Sequence, residues 1–182
     1  MATAVFIGYY LDREDISYLR NLRQSLAFSD PWMIKIDEDG EPIYGTQKLD
    51  RNFRSCAIAD VDPKQVSHVT SKLAHLTGEN IEARETTFSD YTVGDHFAYH
   101  VDQGEYAPQR KWTAITLLDK QDLEGGQLCL FDEETPYVLD LEVGETVMHC
   151  STIPHKLTEI TRGSRSVFIS WYYPLTTHEN CG

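Results

Sequence analysis

The sequence has few cysteines for its length, and none of them forms a C-x-x-C pair. Its 182 residues include four, at Cys56, Cys129, Cys150 and Cys181. This spacing gives no support to a cysteine-rich zinc site or to a disulfide scaffold. We therefore expect reduced thiols and a cytoplasmic protein.

Long hydrophobic runs are also missing. Residues 2–10 are apolar, but no basic segment precedes them and Asp12-Arg13-Glu14-Asp15 follows at once. Such a stretch is too short to span a membrane and is a poor signal peptide. It predicts a first β-strand and no membrane partner.

Basic residues are scarce. Lys and Arg number 16 against 29 Asp and Glu, which gives a formal net charge of −13. An acidic surface repels the phosphates of nucleic acids, so we expect no nucleic acid partner. The charge suits solubility, and it also suits a basic peptide or a small molecule as substrate. Oligomeric state is left open.

Hydrophobic residues make up 41% of the chain, which is enough for one domain with its own core. Two amphipathic helices are predicted, at 11–28 with Asp12 as N-cap and from Asp62-Pro63 to Gly78. Turn residues at 37–42 predict a hairpin tip, and residues 51–59 look extended. Residues 1–80 should support a core at 81–174 within a single domain of residues 1–182.

The core should consist of short strands. Eight stretches rich in β-branched and aromatic residues alternate with turns, at 82–91, 96–100, 111–118, 127–131, 137–141, 145–149, 155–160 and 166–173. Their spacing predicts an antiparallel barrel or jelly roll, with the N-terminal helices packed on the outer face of one sheet.

A candidate metal site begins at His100-x-Asp102. In a strand, residues i and i+2 point to the same face, so both groups should be aimed at one point. His155 follows a strand and a proline-containing turn that can direct it back to the same point. Two histidines and one carboxylate form the facial triad of non-haem Fe(II) oxygenases, which leaves coordination positions open.

A candidate anion site lies ten residues after His155. Arg165 belongs to a strongly apolar strand, and a cation that points into a barrel needs a partner. The carboxylate of a bound ligand is a natural bidentate partner for a guanidinium.

These residues together resemble a known family. The pattern Tyr91-x-x-Gly94-x-x-Phe97-x-x-His100-x-Asp102, then Glu124-Gly125-Gly126-x-Leu128, then His155, Arg165 and Trp171, is similar to the prolyl-4-hydroxylase-like branch of the Fe(II)/2-oxoglutarate-dependent oxygenase superfamily. The resemblance covers about half of the chain.

The resemblance implies a double-stranded β-helix core and dependence on Fe(II), 2-oxoglutarate and O₂, and it admits ascorbate as a reductant. It implies that His100, Asp102 and His155 bind iron, and that Arg165 binds the distal carboxylate of 2-oxoglutarate. It also makes Tyr91, Thr113 and Trp171 candidate cosubstrate contacts. No protein acid, base or nucleophile is required beyond the metal centre.

The implied activity is hydroxylation of an aliphatic C–H bond, with release of succinate and CO₂. A prolyl residue in a peptide or protein is the expected substrate, and a free amino acid or small metabolite is the alternative. A cupin-like binding module and an iron dioxygenase that uses no 2-oxoglutarate stay open as well. The chain departs from the family pattern at Leu117, where some relatives have a cosubstrate-binding Tyr, and at 158–161.

Other polar residues are assigned structural positions. His68 and His75 should be solvated on the second helix, and His149 should pack inside the barrel. His96 should share the strand face of His100 without being a ligand, and Tyr99 and Val101 should face the other way. Arg51 and Arg54 are interpreted as surface residues, with substrate contacts, which related enzymes often place in such segments, as the alternative. The loop 103–110 is a candidate lid.

Overall fold

The structure is a computed structural model that describes residues 5–36, 42–48, 50–105, 107–132 and 135–175. Its helices are α1 (Arg13–Gln24) and α2 (Ser67–Ala74), and α2 continues into one 3₁₀ turn (His75–Thr77). Its strands are β1 (Val5–Gly8), β2 (Trp32–Ile36), β3 (Pro42–Lys48), β4 (Arg54–Ser55), β5 (Ala57–Val61), β6 (Ile81–Tyr91), β7 (His96–His100), β8 (Trp112–Gly125), β9 (Leu128–Asp132), β10 (Thr135–Leu139), β11 (Thr146–Cys150), β12 (His155–Leu157) and β13 (Ile160–Pro174).

Two antiparallel sheets form the core. The larger one has six strands in the order β1-β11-β8-β13-β6-β5, and the smaller one has five in the order β10-β9-β12-β7-β4. Strands β2 and β3 pair only with each other among the described residues. The mainly β jelly-roll architecture with flanking helices is confirmed.

Side chains of the larger sheet serve two cores. On β13, Val167 and Ile169 pack between the sheets, whereas Phe168 and Tyr172 pack on the helix side. This alternation is what a strand buried on both faces requires. The predicted packing of the N-terminal helices on one sheet is therefore confirmed.

Helix α1 begins where the sequence indicates. Asp12 is its N-cap, and the Asp15 amide donates to Asp12 Oδ1 at 2.9 Å in a reciprocal capping box. Lys72 of α2 donates to both carboxylates, which ties the two helices together. The helix ends at Gln24 rather than residue 28, because the Ser25 amide already closes on the carbonyls of the last turn. No helix among the described residues is long and apolar enough to cross a membrane.

The predicted start of the second helix at Asp62-Pro63 is wrong. Asp62 accepts from the Lys64 amide at 2.9 Å, which makes a local turn rather than a helix cap. The helix begins only after Val66, a fully buried residue of the core between the larger sheet and the helices, here called the outer core. Burial of Val66 therefore sets the helix start.

Several strand limits also differ from prediction. The stretch 155–160 divides into β12 and the start of β13, because the chain crosses there from the smaller sheet to the larger one. Strands β8 and β13 extend farther than predicted and pair along most of their length. Close pairing requires Gly163, whose φ is +76° and whose added Cβ would lie 2.0 Å from the Gln121 carbonyl oxygen. Of the predicted hairpin tip at 37–42, residues 37–41 lie outside the described residues.

Candidate active site

Strands β7 and β12 bring the predicted metal ligands together. His100 and His155 are direct cross-strand partners, and Asp102 follows β7 after one residue. His100 Nε2 lies 3.7 Å from Asp102 Oδ1, and His155 Nε2 lies 3.6 Å from Asp102 Oδ2. All three ligand atoms lie within 4.8 Å of one another. Such separations are long for hydrogen bonds and leave room for an ion between the donors.

Backbone carbonyls fix the orientation of both imidazoles. Nδ1 of His100 lies 2.7 Å from the Ala98 oxygen, and Nδ1 of His155 lies 3.0 Å from the Ile153 oxygen. A proton on each Nδ1 leaves the Nε2 lone pair directed at the centre, which is the usual arrangement of metal-binding histidines. His100 Nε2 is buried and has no hydrogen-bond partner among the described residues. The donor set therefore fits Fe(II).

Two further contacts hold Asp102. The Thr113 hydroxyl donates to Asp102 Oδ2 at 2.7 Å and lies 2.9 Å from the Ser151 hydroxyl. The Asp102 amide donates to the Ser151 carbonyl at 3.0 Å. The carboxylate is therefore oriented through both its side chain and its backbone.

The protonation states suit metal binding. Burial acts to raise the pKa of Asp102, but the attraction of the neighbouring His100 and His155 side chains outweighs it and holds that pKa well below the ordinary value. Burial lowers the pKa of His155 to about 3. A charged carboxylate and a neutral imidazole are the forms that bind a divalent metal.

A pocket adjoins the three ligands, and all four predicted cosubstrate residues line it: Tyr91, Thr113, Arg165 and Trp171. Arg54 lines it as well, and the other walls are apolar and consist of Phe97, Ile115, Leu128, Leu157, Val167 and Ile169. The contacts of these four residues with 2-oxoglutarate remain predictions.

Arg165 lies deep in this pocket. Its Nη1 donates to the Gly126 carbonyl at 2.6 Å, and its Nε has no partner among the described residues. Tyr91 is its cross-strand neighbour on β6. Burial lowers the pKa of Arg165 to about 10, so the guanidinium stays charged at neutral pH. Leu117 packs in the core between the sheets opposite Val167 and supplies no hydroxyl.

The interpretation of Arg54 as a surface residue is wrong. Arg54 is the cross-strand partner of Phe97, and both side chains line the pocket. Part of the signal was available in the sequence, since the stretch predicted as extended at 51–59 contains β4 and the start of β5, although residues 51–53 form a turn. The pairing of β4 with β7 was not predicted. Arg51 is exposed and lies 3.3 Å from Asp30, as expected of a surface residue.

The predicted orientation of His96 is also wrong. The pairing of β7 with β12 is irregular between Phe97 and His100, so Phe97 rather than His96 shares the His100 face. The Phe97 and His100 rings stack with centroids 3.6 Å apart. His96 faces away, with its Nε2 3.0 Å from the Asn52 oxygen. Tyr99 is exposed on the opposite face of β7 from His100, as predicted.

Two further predictions have structural outcomes. His149 is fully buried 4.8 Å from the His155 ring, so its packing role is confirmed. At the end of the loop 103–110, Arg110 donates to the Asp102 carbonyl at 3.3 Å and to Tyr173 at 3.2 Å, and pairs with Glu85. Whether this loop opens and closes as a lid stays a prediction.

Known proteins share this sequence pattern and fold. A sequence model of the 2OG-Fe(II) oxygenase superfamily matches residues 86–173. A PKHD-type hydroxylase from Hyphomonas neptunium is 26% identical over 168 residues, which cover 84% of this chain and 72% of the relative. Seven other PKHD-type hydroxylases match over only 37–45% of their own length.

Two solved structures illustrate the fold. A prolyl hydroxylase from Trichoplax adhaerens, in complex with a hypoxia inducible factor oxygen degradation domain peptide fragment, has a TM-score of 0.71 at 17% identity and covers 94% of this chain and 84% of its own. HygX from Streptomyces hygroscopicus, with nickel, 2-oxoglutarate and hygromycin B bound, has a TM-score of 0.68 at 12% identity and covers 96% and 84%.

The sequence match includes all three candidate metal ligands and Arg165, and the fold agrees with it over nearly the whole chain. Residues 86–173 therefore match the 2OG-Fe(II) oxygenase superfamily, whose enzymes use Fe(II), 2-oxoglutarate and O₂, and the chain shares its jelly-roll fold with a prolyl hydroxylase.

Proposed function

We propose that this chain is a 2-oxoglutarate-dependent hydroxylase that acts as one domain and holds Fe(II) through His100, Asp102 and His155. The observation that carries the proposal is the convergence of two imidazole Nε2 atoms and one carboxylate within 4.8 Å, with both rings oriented by backbone carbonyls. An open face of a 2-His-1-carboxylate site is what this chemistry needs.

Arg165 and Tyr91 are proposed to bind the distal carboxylate of 2-oxoglutarate, and Thr113 and Trp171 to complete the pocket wall. When bound, Fe(II) with 2-oxoglutarate and O₂ supplies the oxidising chemistry that hydroxylates a C–H bond and yields succinate and CO₂. The chain itself orients the cosubstrate and shields the site with apolar walls such as Ile115 and Ile169.

The unpartnered Nε of buried Arg165 supports use of 2-oxoglutarate over a reaction that needs iron alone. A guanidinium removed from water is costly unless an anion pairs with it. A binding module without catalysis would need neither this cation nor the complete ligand set.

The proposed substrate is a prolyl residue in a peptide or protein. Its support is the fold shared with a prolyl hydroxylase that binds a peptide. The second candidate is a free amino acid or another small molecule, supported by the same fold in a structure that holds hygromycin B. The cytoplasmic location stays a prediction.

Mass spectrometry of reaction mixtures tests the substrate. The protein is incubated with Fe(II), 2-oxoglutarate and ascorbate in air, with proline-containing peptides in one arm and free amino acids in the other. We expect a mass gain of one oxygen atom in the peptide arm, matched by succinate. A gain confined to free amino acids would contradict the prolyl assignment.

Two variants separate the site from general effects. His155→Ala should abolish product, whereas His75→Ala should not, because His75 is an exposed residue at the end of α2. Arg165→Ala should raise the KM for 2-oxoglutarate by orders of magnitude, whereas exposed Arg162→Ala should leave it unchanged. An unchanged KM in Arg165→Ala would exclude the cosubstrate assignment.

A further inference from the structure

Arg54 places a second guanidinium in the pocket that holds Arg165. The residue comes from β4 at the edge of the smaller sheet, and its side chain reaches β6 of the larger sheet, where Nη2 donates to Ser89 at 3.1 Å. Ser89 and Tyr91 share the inward face of β6, and Tyr91 is the cross-strand partner of Arg165. Arg54 and Arg165 therefore both line the pocket close to Tyr91.

Neither guanidinium has an acidic partner. Among the residues that the structure describes, no ion pair with Asp or Glu involves Arg54 or Arg165. The Nε atoms of both are buried and have no hydrogen-bond partner. Two buried cations close together are unfavourable unless an anion lies between them.

The neighbouring titratable groups do not supply that negative charge. Burial raises the pKa of Tyr91 to about 12, and burial raises the pKa of the Cys56 thiol as well. Both groups are therefore protonated at neutral pH. Two carboxylates lie in the surroundings, Asp95 near Cys56 and Asp140 near Arg165. Asp95 accepts from the Ser55 hydroxyl at 2.5 Å and from the Thr92 amide at 2.8 Å, and neither carboxylate forms an ion pair with Arg54 or Arg165 among the described residues.

The distance of Arg54 from the metal ligands fits a dicarboxylate. The Arg54 guanidinium lies 4.6 Å from the Phe97 ring centre, and the Phe97 ring lies 3.6 Å from the His100 ring. Two stacking steps therefore separate the guanidinium from an iron ligand. The two contacts together set an upper limit on the distance between the Arg54 guanidinium and the His100 ring, and a five-carbon dicarboxylate with one end at the metal is long enough to span a gap of that order.

We propose that Arg54 is a second cosubstrate-binding residue, which together with Arg165 clamps the distal carboxylate of 2-oxoglutarate. The guanidinium groups of Arg54 on β4 and Arg165 on β13, together with the Tyr91 hydroxyl, take the place of the tyrosine hydroxyl that some relatives have at the position of Leu117. This inference rests on the proposed use of 2-oxoglutarate. It gives Arg54, which precedes the matched region 86–173, a direct contact with the cosubstrate.

Anaerobic binding titrations test the clamp without turnover. The protein is loaded with Fe(II), and dissociation constants are measured for 2-oxoglutarate and for 2-oxobutyrate, a 2-oxo acid without the distal carboxylate. In Arg54→Gln we expect affinity for 2-oxoglutarate to fall on the order of tenfold to hundredfold, as for the loss of a charged hydrogen bond. Affinity for 2-oxobutyrate should stay the same.

The ratio of the two constants separates the clamp from other effects. Damage to His100 through Phe97, or partial unfolding, would weaken both ligands equally and leave the ratio unchanged. Arg54→Lys, which keeps the charge, should show a smaller loss, and surface variant Arg51→Gln should show none. If the ratio of the two dissociation constants is unchanged in Arg54→Gln, the clamp is overturned. The same conclusion holds if the ratio is unchanged and only the KM of the hydroxylated substrate rises. Absence of 2-oxoglutarate binding by the unmodified protein would instead refute the proposed function.

Discussion

Thr113 provides a sensitive test of the candidate metal site, because its hydroxyl is the side-chain donor that holds Asp102. Replacement of Thr113 by Val keeps the shape of the side chain and removes the 2.7 Å hydrogen bond to Asp102 Oδ2. A hydrogen bond to a charged group contributes about 1.5–3 kcal/mol. Converted at about 1.4 kcal/mol per tenfold, the loss corresponds to roughly a tenfold to hundredfold weaker site. Loss of a group that orients a metal ligand typically has an effect of this size.

The matched control lies on the same strand. Thr116 is also fully buried, and its hydroxyl lies 2.7 Å from that of Thr146, away from the pocket. In the absence of metal, Thr116→Val should lose about 1 kcal/mol of unfolding free energy and Thr113→Val about 1.5–3 kcal/mol, because only Thr113 donates to a charged group. Only Thr113→Val should bind Fe(II) more weakly in an anaerobic calorimetric titration. Equal Fe(II) affinities in the two variants would refute the role of Asp102 as an oriented ligand.

Three further predictions concern the loop and the fold. Arg110→Ala should speed chymotrypsin cleavage within the loop 103–110, because it removes the contacts of Arg110 with Glu85 and with the Asp102 carbonyl. The control variant Arg84→Ala, at an exposed residue, should not speed cleavage, and equal cleavage rates in the two variants would contradict the role of Arg110 as the anchor of the loop. Gly163→Ala should lower the free energy of unfolding in denaturant by at least about 1–3 kcal/mol from backbone strain alone. Gly104→Ala should lower it little, because the space around Gly104 is open, and a similar small loss in both variants would contradict the tight β8–β13 pairing. Phe168→Ala should cost about 3–5 kcal/mol in the same measurement, because the ring is fully buried between the larger sheet and the helices, and a loss below 1 kcal/mol would contradict that core.

The sequence was most informative where the signal is local. Alternation along a strand placed His100 and Asp102 together, and a charged residue in an apolar strand identified Arg165 as a buried cation. The same reasoning failed at Arg54 and His96. The orientation of His96 depends on an irregular pairing of β7 with β12, whose partner residues lie more than fifty positions away in the chain, and that of Arg54 depends on the pairing of β4 with β7.

Tertiary packing also overrode a local helix signal. Asp62-Pro63 has the composition of a helix start, but the helix begins at Ser67, where Val66 enters the outer core. Helix α1 shows the opposite case, since the Asp12 cap and the burial of residues in the helix both favour a start at Arg13. Local propensity therefore decided the element limits only where burial favoured the same residue.

Anaerobic absorption spectroscopy tests the central claim most directly, because it requires no knowledge of the substrate. A 2-oxo acid and Fe(II) that share one site give a charge-transfer band in the visible range. We expect this band to appear with the unmodified protein, to saturate at one equivalent of Fe(II), and to be absent in His155→Ala at the same concentrations. A missing band with the unmodified protein, or an undiminished band in His155→Ala, would contradict the assignment of the iron and 2-oxoglutarate site.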